Sequence, residues 1–188
     1  MSAPLLDEKI LAIEAALAGA GIPHAFGGAL ALAYYATPRA TLDIDCNVFV
    51  AVDASDRVMG ALAPLGVAPP GADELRALRE RGQLRVFWGH TPIDLFFAYD
   101  ALHDSCRERT RRVPFGDAVT LPILSAEDLA IFKTLFDREK DRRDLGEMLF
   151  ALGGDFDAPY ALGWIRRILP AGDERRRRFE ELLTSSPS

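Results

Sequence analysis

Apolar positions recur along the chain with two distinct periods. Leu6, Ile10, Ile13 and Leu17 follow one another at helical spacing and form one stripe, which predicts a helix from Leu5 to Leu17. Gly19-Ala20-Gly21 ends it and Pro23 blocks its continuation. His24-Ala25-Phe26 is a short strand candidate leading into Gly27-Gly28, and Ala29 to Ala36 reads as a buried helix that stops before Pro38. From Thr41 to Val52 the period changes to two. Leu42, Ile44, Val48 and Val50 share one face of the predicted strand, with Asp43, Asp45, Asn47 and Phe49 on the other. Asp53-Ala54-Ser55-Asp56 supplies capping residues for a helix carrying Val58, Leu62 and Leu65. Pro69-Pro70-Gly71 is a loop, and Asp73 to Arg81 predicts a helix with a charged, solvated side.

Leu84 to Trp88 and Ile93 to Phe97 flank Gly89-His90-Thr91-Pro92 and predict two antiparallel strands. In the second, Ile93, Leu95 and Phe97 face one way, Asp94 and Phe96 the other. A basic stretch, Arg107 to Arg112, precedes a hairpin from Val113 to Pro122 that turns at Phe115-Gly116-Asp117. Beyond Ser125 the pattern is helical. Ser125 with Asp128 resembles a capping box, and Leu129, Phe132, Leu135 and Phe136 form an apolar face. Leu145, Met148, Leu149 and Leu152 mark the next helix, followed by segments around Trp164 to Leu169 and Asp173 to Leu183. The expectation is an α/β (α+β) fold, a mixed, mostly antiparallel sheet flanked by helices over residues 1–124, with a helical C-terminal part over 125–188, both in one compact protein.

Composition narrows the class. The 188 residues are 49% hydrophobic, enough for a sizeable core. A formal charge of −6, from 22 basic and 28 acidic residues, gives no global attraction for polyanions and favours a small-molecule or protein substrate. Cys46 and Cys106 stand far apart, without a CxxC or Cys-His cluster, which excludes a disulfide framework and a structural zinc site. Met1-Ser2-Ala3-Pro4, then Asp7-Glu8-Lys9, lacks a basic leader and apolar core, and no apolar run is long enough to span a bilayer. A cytoplasmic chain without a membrane partner is expected.

Against that background the acidic residues inside apolar strands need a reason. Asp43 and Asp45 interrupt Leu42, Ile44 and Val48 with no basic residue between them. Two apart in a strand, they project the same way with Cα atoms roughly 6.5–7 Å apart, and they repel unless a cation or proton intervenes. A divalent metal such as Mg²⁺ is the economical solution. Asp94 supplies a third carboxylate if its strand lies beside theirs. The alternative is a water-facing acidic pair, with Asp94 salt-bridged to an arginine. Gly27-Gly28, between a strand and a helix, offers backbone N–H groups and close approach to a phosphate, or serves packing alone.

Taken in order, these residues resemble the polymerase-β-like nucleotidyltransferase superfamily, which carries Gly-Gly or Gly-Ser at a helix start, Asp-x-Asp on a strand and a third Asp on a neighbouring strand. Within it the chain is similar to small bacterial abortive-infection or toxin-type nucleotidyltransferases. The matching segments are Gly27-Gly28-Ala29-Leu30, Arg39-Ala40-Thr41-Leu42-Asp43-Ile44-Asp45, Ala126-Glu127-Asp128-Leu129-Ala130-Ile131-Phe132-Lys133 and Asp141-Arg142-Arg143-Asp144-Leu145. The likeness covers roughly residues 8 to 150. It departs at Gly28-Ala29, where many relatives place a phosphate-contacting Ser, and at Cys46-Asn47.

The resemblance implies Mg²⁺ (or Mn²⁺) on Asp43, Asp45 and Asp94, with a nucleoside triphosphate (NTP) as substrate. Asp94 helps to deprotonate a hydroxyl acceptor, which is a protein, an RNA 3′ end or a small molecule. Gly27, Gly28 and Lys133 hold phosphates, and Arg39 and Thr41 position them or buttress the turn. A cognate antitoxin-like partner follows from the resemblance alone. Competing roles are local: Lys133 snorkelling to solvent, Arg39 paired with an acidic neighbour, and Asp141, Arg142, Arg143 and Asp144 forming an ion network. A catalytically inactive nucleotide-binding or partner-binding protein is the alternative to an enzyme.

Overall fold

The structure, a computed structural model, describes residues 4–116 and 119–185. Met1–Ala3 and Asp117, on which the expectations about a leader and about one hairpin turn drew, lie outside the described residues. The chain folds as two compact units. One comprises the chain up to Leu30 together with Ala40–Ile123, and the other Ala31–Arg39 together with the chain from Leu124 onward.

The first unit is built on a six-stranded sheet of order β3-β4-β2-β1-β6-β5. Its strands are β1 (His24–Phe26), β2 (Ile44–Val48), β3 (Gln83–Trp88), β4 (Thr91–Phe97), β5 (Arg111–Phe115) and β6 (Val119–Ile123). The pairs β1·β2, β3·β4 and β5·β6 are antiparallel, while β1·β6 and β2·β4 are parallel. Helix α1 (Leu6–Gly19) buries Ile10, Ile13 and Leu17, the stripe read from the sequence. It runs on to Gly19 before Gly21, at φ +63°, turns the chain into β1. A five-residue helix, α2 (Gly28–Leu32), leaves the end of β1 and is shorter than the expected Ala29–Ala36. Tyr34 and Tyr35 instead close tight turns on Ala31 and Leu32.

The strand expected over Thr41–Val52 is confined to Ile44–Val48. Thr41 Oγ accepts the Asp43 N–H at 3.2 Å, a local turn that keeps this stretch out of the ladder. The pairing with β4 begins only at Ile44, opposite Ile93. Leu42, expected on one strand face with Ile44, Val48 and Val50, is 79% exposed. The hairpin β3·β4 turns on Gly89-His90 alone, with Trp88 opposite Thr91, two residues tighter than expected. Helices α3 (Ser55–Leu62) and α4 (Ala72–Arg81) lie where the pattern placed them. Helix α5 (Ala101–Glu108) was not anticipated; Asp100 caps it by accepting the Leu102 and His103 N–H groups, and Leu102 and Cys106 are its buried apolar residues.

Buried His24 is fully engaged in this unit. Its Nε2 lies 2.5 Å from Glu14 Oε2 and its Nδ1 2.8 Å from the Ile22 carbonyl, while Arg112 donates to the other Glu14 oxygen at 3.1 Å.

The second unit contains α6 (Ala126–Phe136), α7 (Glu139–Leu152), α8 (Ala158–Ile168) and α9 (Glu174–Ser185). Ser125 caps α6 by accepting the Asp128 N–H, as the capping pattern predicts. The Asp128 carboxylate accepts from the Ser125 hydroxyl at 2.8 Å and from the Tyr160 hydroxyl at 2.6 Å, which ties α8 to the start of α6. Among the described residues no helix is long and apolar enough to cross a membrane.

Candidate active site

Strand register brings together residues that are far apart in sequence. β2 and β4 run side by side in parallel with Asp45 directly opposite Asp94. On the other flank of β4, antiparallel β3 sets Arg85 directly opposite Asp94. Directly paired residues project to the same face of a sheet, so Asp45, Asp94 and Arg85 form a row across three adjacent strands. Asp43 precedes β2 and is held by the Thr41 turn instead of by the pleat. The same-face geometry of a continuous strand therefore does not place Asp43.

The Arg85 guanidinium grips Asp94 with two hydrogen bonds, Nε to Oδ1 at 2.7 Å and Nη2 to Oδ2 at 2.6 Å. Such a fork is the strongest form of carboxylate recognition. The Asp94 side chain is 6% exposed and that of Arg85 51%. The guanidinium is held above its usual range, first by the hydrogen bonds to Asp94, against the opposing effect of burial, and then by the charges of Asp94, Asp43 and Asp45. All three carboxylates singled out in the sequence thus act on one cation. An arginine partner for Asp94 is one of the two readings the sequence allows, but its pattern does not point to Arg85 itself.

The glycines meet the same place. Gly28 sits at φ +53°, and a Cβ built there would overlap the Asp45 Oδ2 atom and stand 2.5 Å from its Cγ. Only glycine fits this backbone and this contact. The Gly27 N–H donates to the Asp45 main-chain carbonyl at 2.9 Å. That N–H is engaged within the sheet, so Gly28 is the member of the pair that faces the carboxylate. Two residues further along β2, the Asn47 Oδ1 atom is buried with no hydrogen-bond partner among the described residues.

Arg39 and Lys133 belong to the second unit, where each has a carboxylate partner. Arg39 donates from Nε to Asp144 Oδ1 at 3.1 Å and from Nη2 to Oδ2 at 3.0 Å. Lys133, only 3% exposed, donates to Asp144 at 2.5 Å and to Asp141 at 3.5 Å. It is not the solvent-directed lysine that the sequence also allows. Arg138 completes the network on Asp141 at 2.6 Å, while Arg142 pairs with Asp137 at 3.5 Å. Burial pushes the Asp144 carboxyl up, but Arg39 and Lys133 outweigh it and hold the group below the usual carboxylate range.

The donor set of the first unit is all carboxylate oxygen, the hard chemistry that suits Mg²⁺ or Mn²⁺. Among the described residues, however, no three His, Cys, Asp or Glu side chains are gathered as ligands for a metal ion. Both Asp94 oxygens accept from Arg85 instead.

No curated protein matches the chain significantly. Solved structures share its fold. The crystal structure of ANT(2'')-Ia in complex with adenylyl-2''-tobramycin superposes with a TM-score of 0.58 at 14% identity, covering 87% of this chain and 98% of that one. The solution structure of the antibiotic-resistance factor ANT(2'')-Ia gives 0.53 at 14% identity, covering 94% and 88%. An antigenic nucleotidyltransferase-like protein from Paracoccidioides brasiliensis, 15% identical over 97% of this chain and 94% of its own, reaches 0.47. At these identities the likeness to the two ANT(2'')-Ia structures is one of fold. A family model described as "Nucleotidyltransferase of unknown function (DUF6036)" matches residues 25–162, a span that includes Gly27, Gly28, Asp43, Asp45, Asp94 and Lys133. The chain belongs to that nucleotidyltransferase family.

Proposed function

We propose that the chain transfers a nucleoside monophosphate from a nucleoside triphosphate to a hydroxyl acceptor and releases pyrophosphate. The observation that carries this reading is the Asp45–Asp94 pairing across β2 and β4, with Gly28 lying against the Asp45 carboxylate. Asp43, Asp45 and Asp94 are the residues to hold a divalent cation, Mg²⁺ or Mn²⁺. Bound there, such an ion polarises the α-phosphate and offsets charge on the departing pyrophosphate. The acceptor oxygen attacks the α-phosphorus, the bond from that phosphorus to the oxygen bridging to the β-phosphate breaks, and Asp94 accepts the hydroxyl proton. Gly28 keeps the approach beside Asp45 free of a Cβ, and the Thr41 turn sets Asp43. Arg39 and Lys133 act in this scheme through Asp144, ordering the second unit, and not on phosphate directly.

The fold shared with ANT(2'')-Ia, whose complex contains adenylyl-2''-tobramycin, supports a small-molecule hydroxyl among the acceptors; an RNA 3′ end and a protein hydroxyl are the others. A finer placing with the toxin-type enzymes and an antitoxin-like partner rests on the resemblance of residues 27–30, 39–45, 126–133 and 141–145 alone, while a cytoplasmic location is supported by two buried cysteines that form no disulfide.

The Arg85 fork favours a second reading, a domain that binds nucleotide without transferring it. Pyrophosphate release with Mg²⁺, triphosphate and a panel of hydroxyl acceptors separates the two. Transfer requires release that falls at least about a hundredfold when Asp43→Asn and Asp45→Asn are combined. Nucleotide binding with no release under any acceptor supports the second reading, and release that survives the double substitution contradicts the carboxylate mechanism.

A further inference from the structure

Arg85 lies on the edge strand β3 at one end of the candidate site's row, and neither the sequence pattern nor the transfer scheme accounts for it. Its guanidinium takes up both Asp94 oxygens in a bidentate fork. It is the cross-strand partner of Asp94, on the opposite flank of β4 from Asp45, so the row reads carboxylate, carboxylate, guanidinium. The charges of Asp43 and Asp45 act on it as well. A lone acidic trio repels itself, and here one side chain of the chain itself offsets part of that charge.

We propose that Arg85 is a positioning residue that competes with the divalent cation for Asp94, so that the site takes up metal in exchange for the guanidinium. The proposal rests on the reading of Asp43, Asp45 and Asp94 as metal ligands. Its physical basis is electrostatic. A carboxylate buried to 6% exposure and shared between a guanidinium and a divalent ion would hold two positive groups close together in a partly desolvated place. One of them must leave. The Arg85 side chain is 51% exposed and has open water to swing into, whereas Asp94 is held on β4, which is paired on both sides by β3 and β2. In the metal-free state the fork holds the Asp94 carboxylate in place between its neighbours. In the loaded state the released guanidinium is a free cation beside a site that takes a polyanionic substrate.

The exchange makes metal affinity rise when Arg85 is removed, whereas a merely structural arginine would leave it unchanged or lower it. Mn²⁺ binding to the full chain, followed by electron paramagnetic resonance of the free ion, reads this without any catalytic assay. Arg85→Gln is expected to bind Mn²⁺ about two- to fivefold more tightly than the unsubstituted chain, the worth of a half-exposed ion pair. Arg85→Lys, which keeps the charge but loses the fork, should fall between the two and guards against a folding defect in the first variant. The gain must also depend on Asp94: in an Asp94→Asn background, Arg85→Gln should bring no tightening.

Unchanged or weaker binding in Arg85→Gln overturns the exchange, as does a gain that persists with Asn at position 94, which would be long-range charge alone. Saturable binding that is lost in Asp43→Asn with Asp45→Asn keeps the metal reading intact in either case. No saturable Mn²⁺ binding in any of these proteins overturns both the metal reading and the exchange.

Discussion

Gly28 and Asp45 show how closely one residue of this site is fitted to another. The glycine has a positive φ and presses its Cα against the Asp45 carboxylate, so a methyl group there meets both a strained backbone and an occupied volume. Gly28→Ala should destabilise the fold by about 1–3 kcal/mol in a denaturation experiment and displace Asp45, lowering metal binding with it. A loss of stability without any loss of metal binding would separate the glycine from the site. Cys46, which follows Asp45, provides a second local check. Burial, reinforced by the charges of Glu14 and Asp45, pushes its thiol well up, so it should resist alkylation at pH 8 in the native protein and react once the chain is unfolded. Rapid native alkylation at Cys46, read by peptide mass, would contradict the buried environment.

The helices of the second unit depend on a different set of charges. Lys133 on α6 faces Asp141 and Asp144 on α7, and Arg39 and Arg138 close the network from outside. Lys133→Met leaves two buried carboxylates short of a partner and should cost about 3 kcal/mol of stability in a denaturant titration. The network also has a pH signature. The Asp144 carboxyl is depressed in the folded chain, so its contribution is complete above the ordinary carboxyl value near about 4 and is lost as pH falls through the lower folded value. Asp144→Asn should therefore melt at a lower temperature near neutral pH and lose part of the steep acid decline seen in the parent. An identical acid decline in both proteins would show that Asp144 is not the group responsible.

Over the whole chain, the sequence carried the order of the elements further than their edges. The period-two pattern found β2, but Thr41 folds back on Asp43 by a side-chain hydrogen bond that no hydrophobic period reports, and so Leu42 lies outside the strand and exposed. Helix α5 was hidden because its surroundings read as a basic stretch, although Asp100 followed by Leu102 and Cys106 was a usable signal of a capped amphipathic helix. Arg85 was missed through loop length. A four-residue connection, Gly89 to Pro92, sets Phe87 across from Asp94, whereas the observed Gly89-His90 turn shifts the register and sets Arg85 there. The adjacency of β2 and β4 is a long-range pairing with no local signature, and it is what brings Asp45 and Asp94 together. That adjacency leads to the most direct test, a crystal soaked with Mn²⁺ and a nonhydrolysable triphosphate and measured at the manganese edge. The account predicts an anomalous peak about 2.1 Å from oxygens of Asp43, Asp45 and Asp94, with Arg85 released. A map with no peak at these carboxylates and Asp94 still gripped by Arg85 would contradict it.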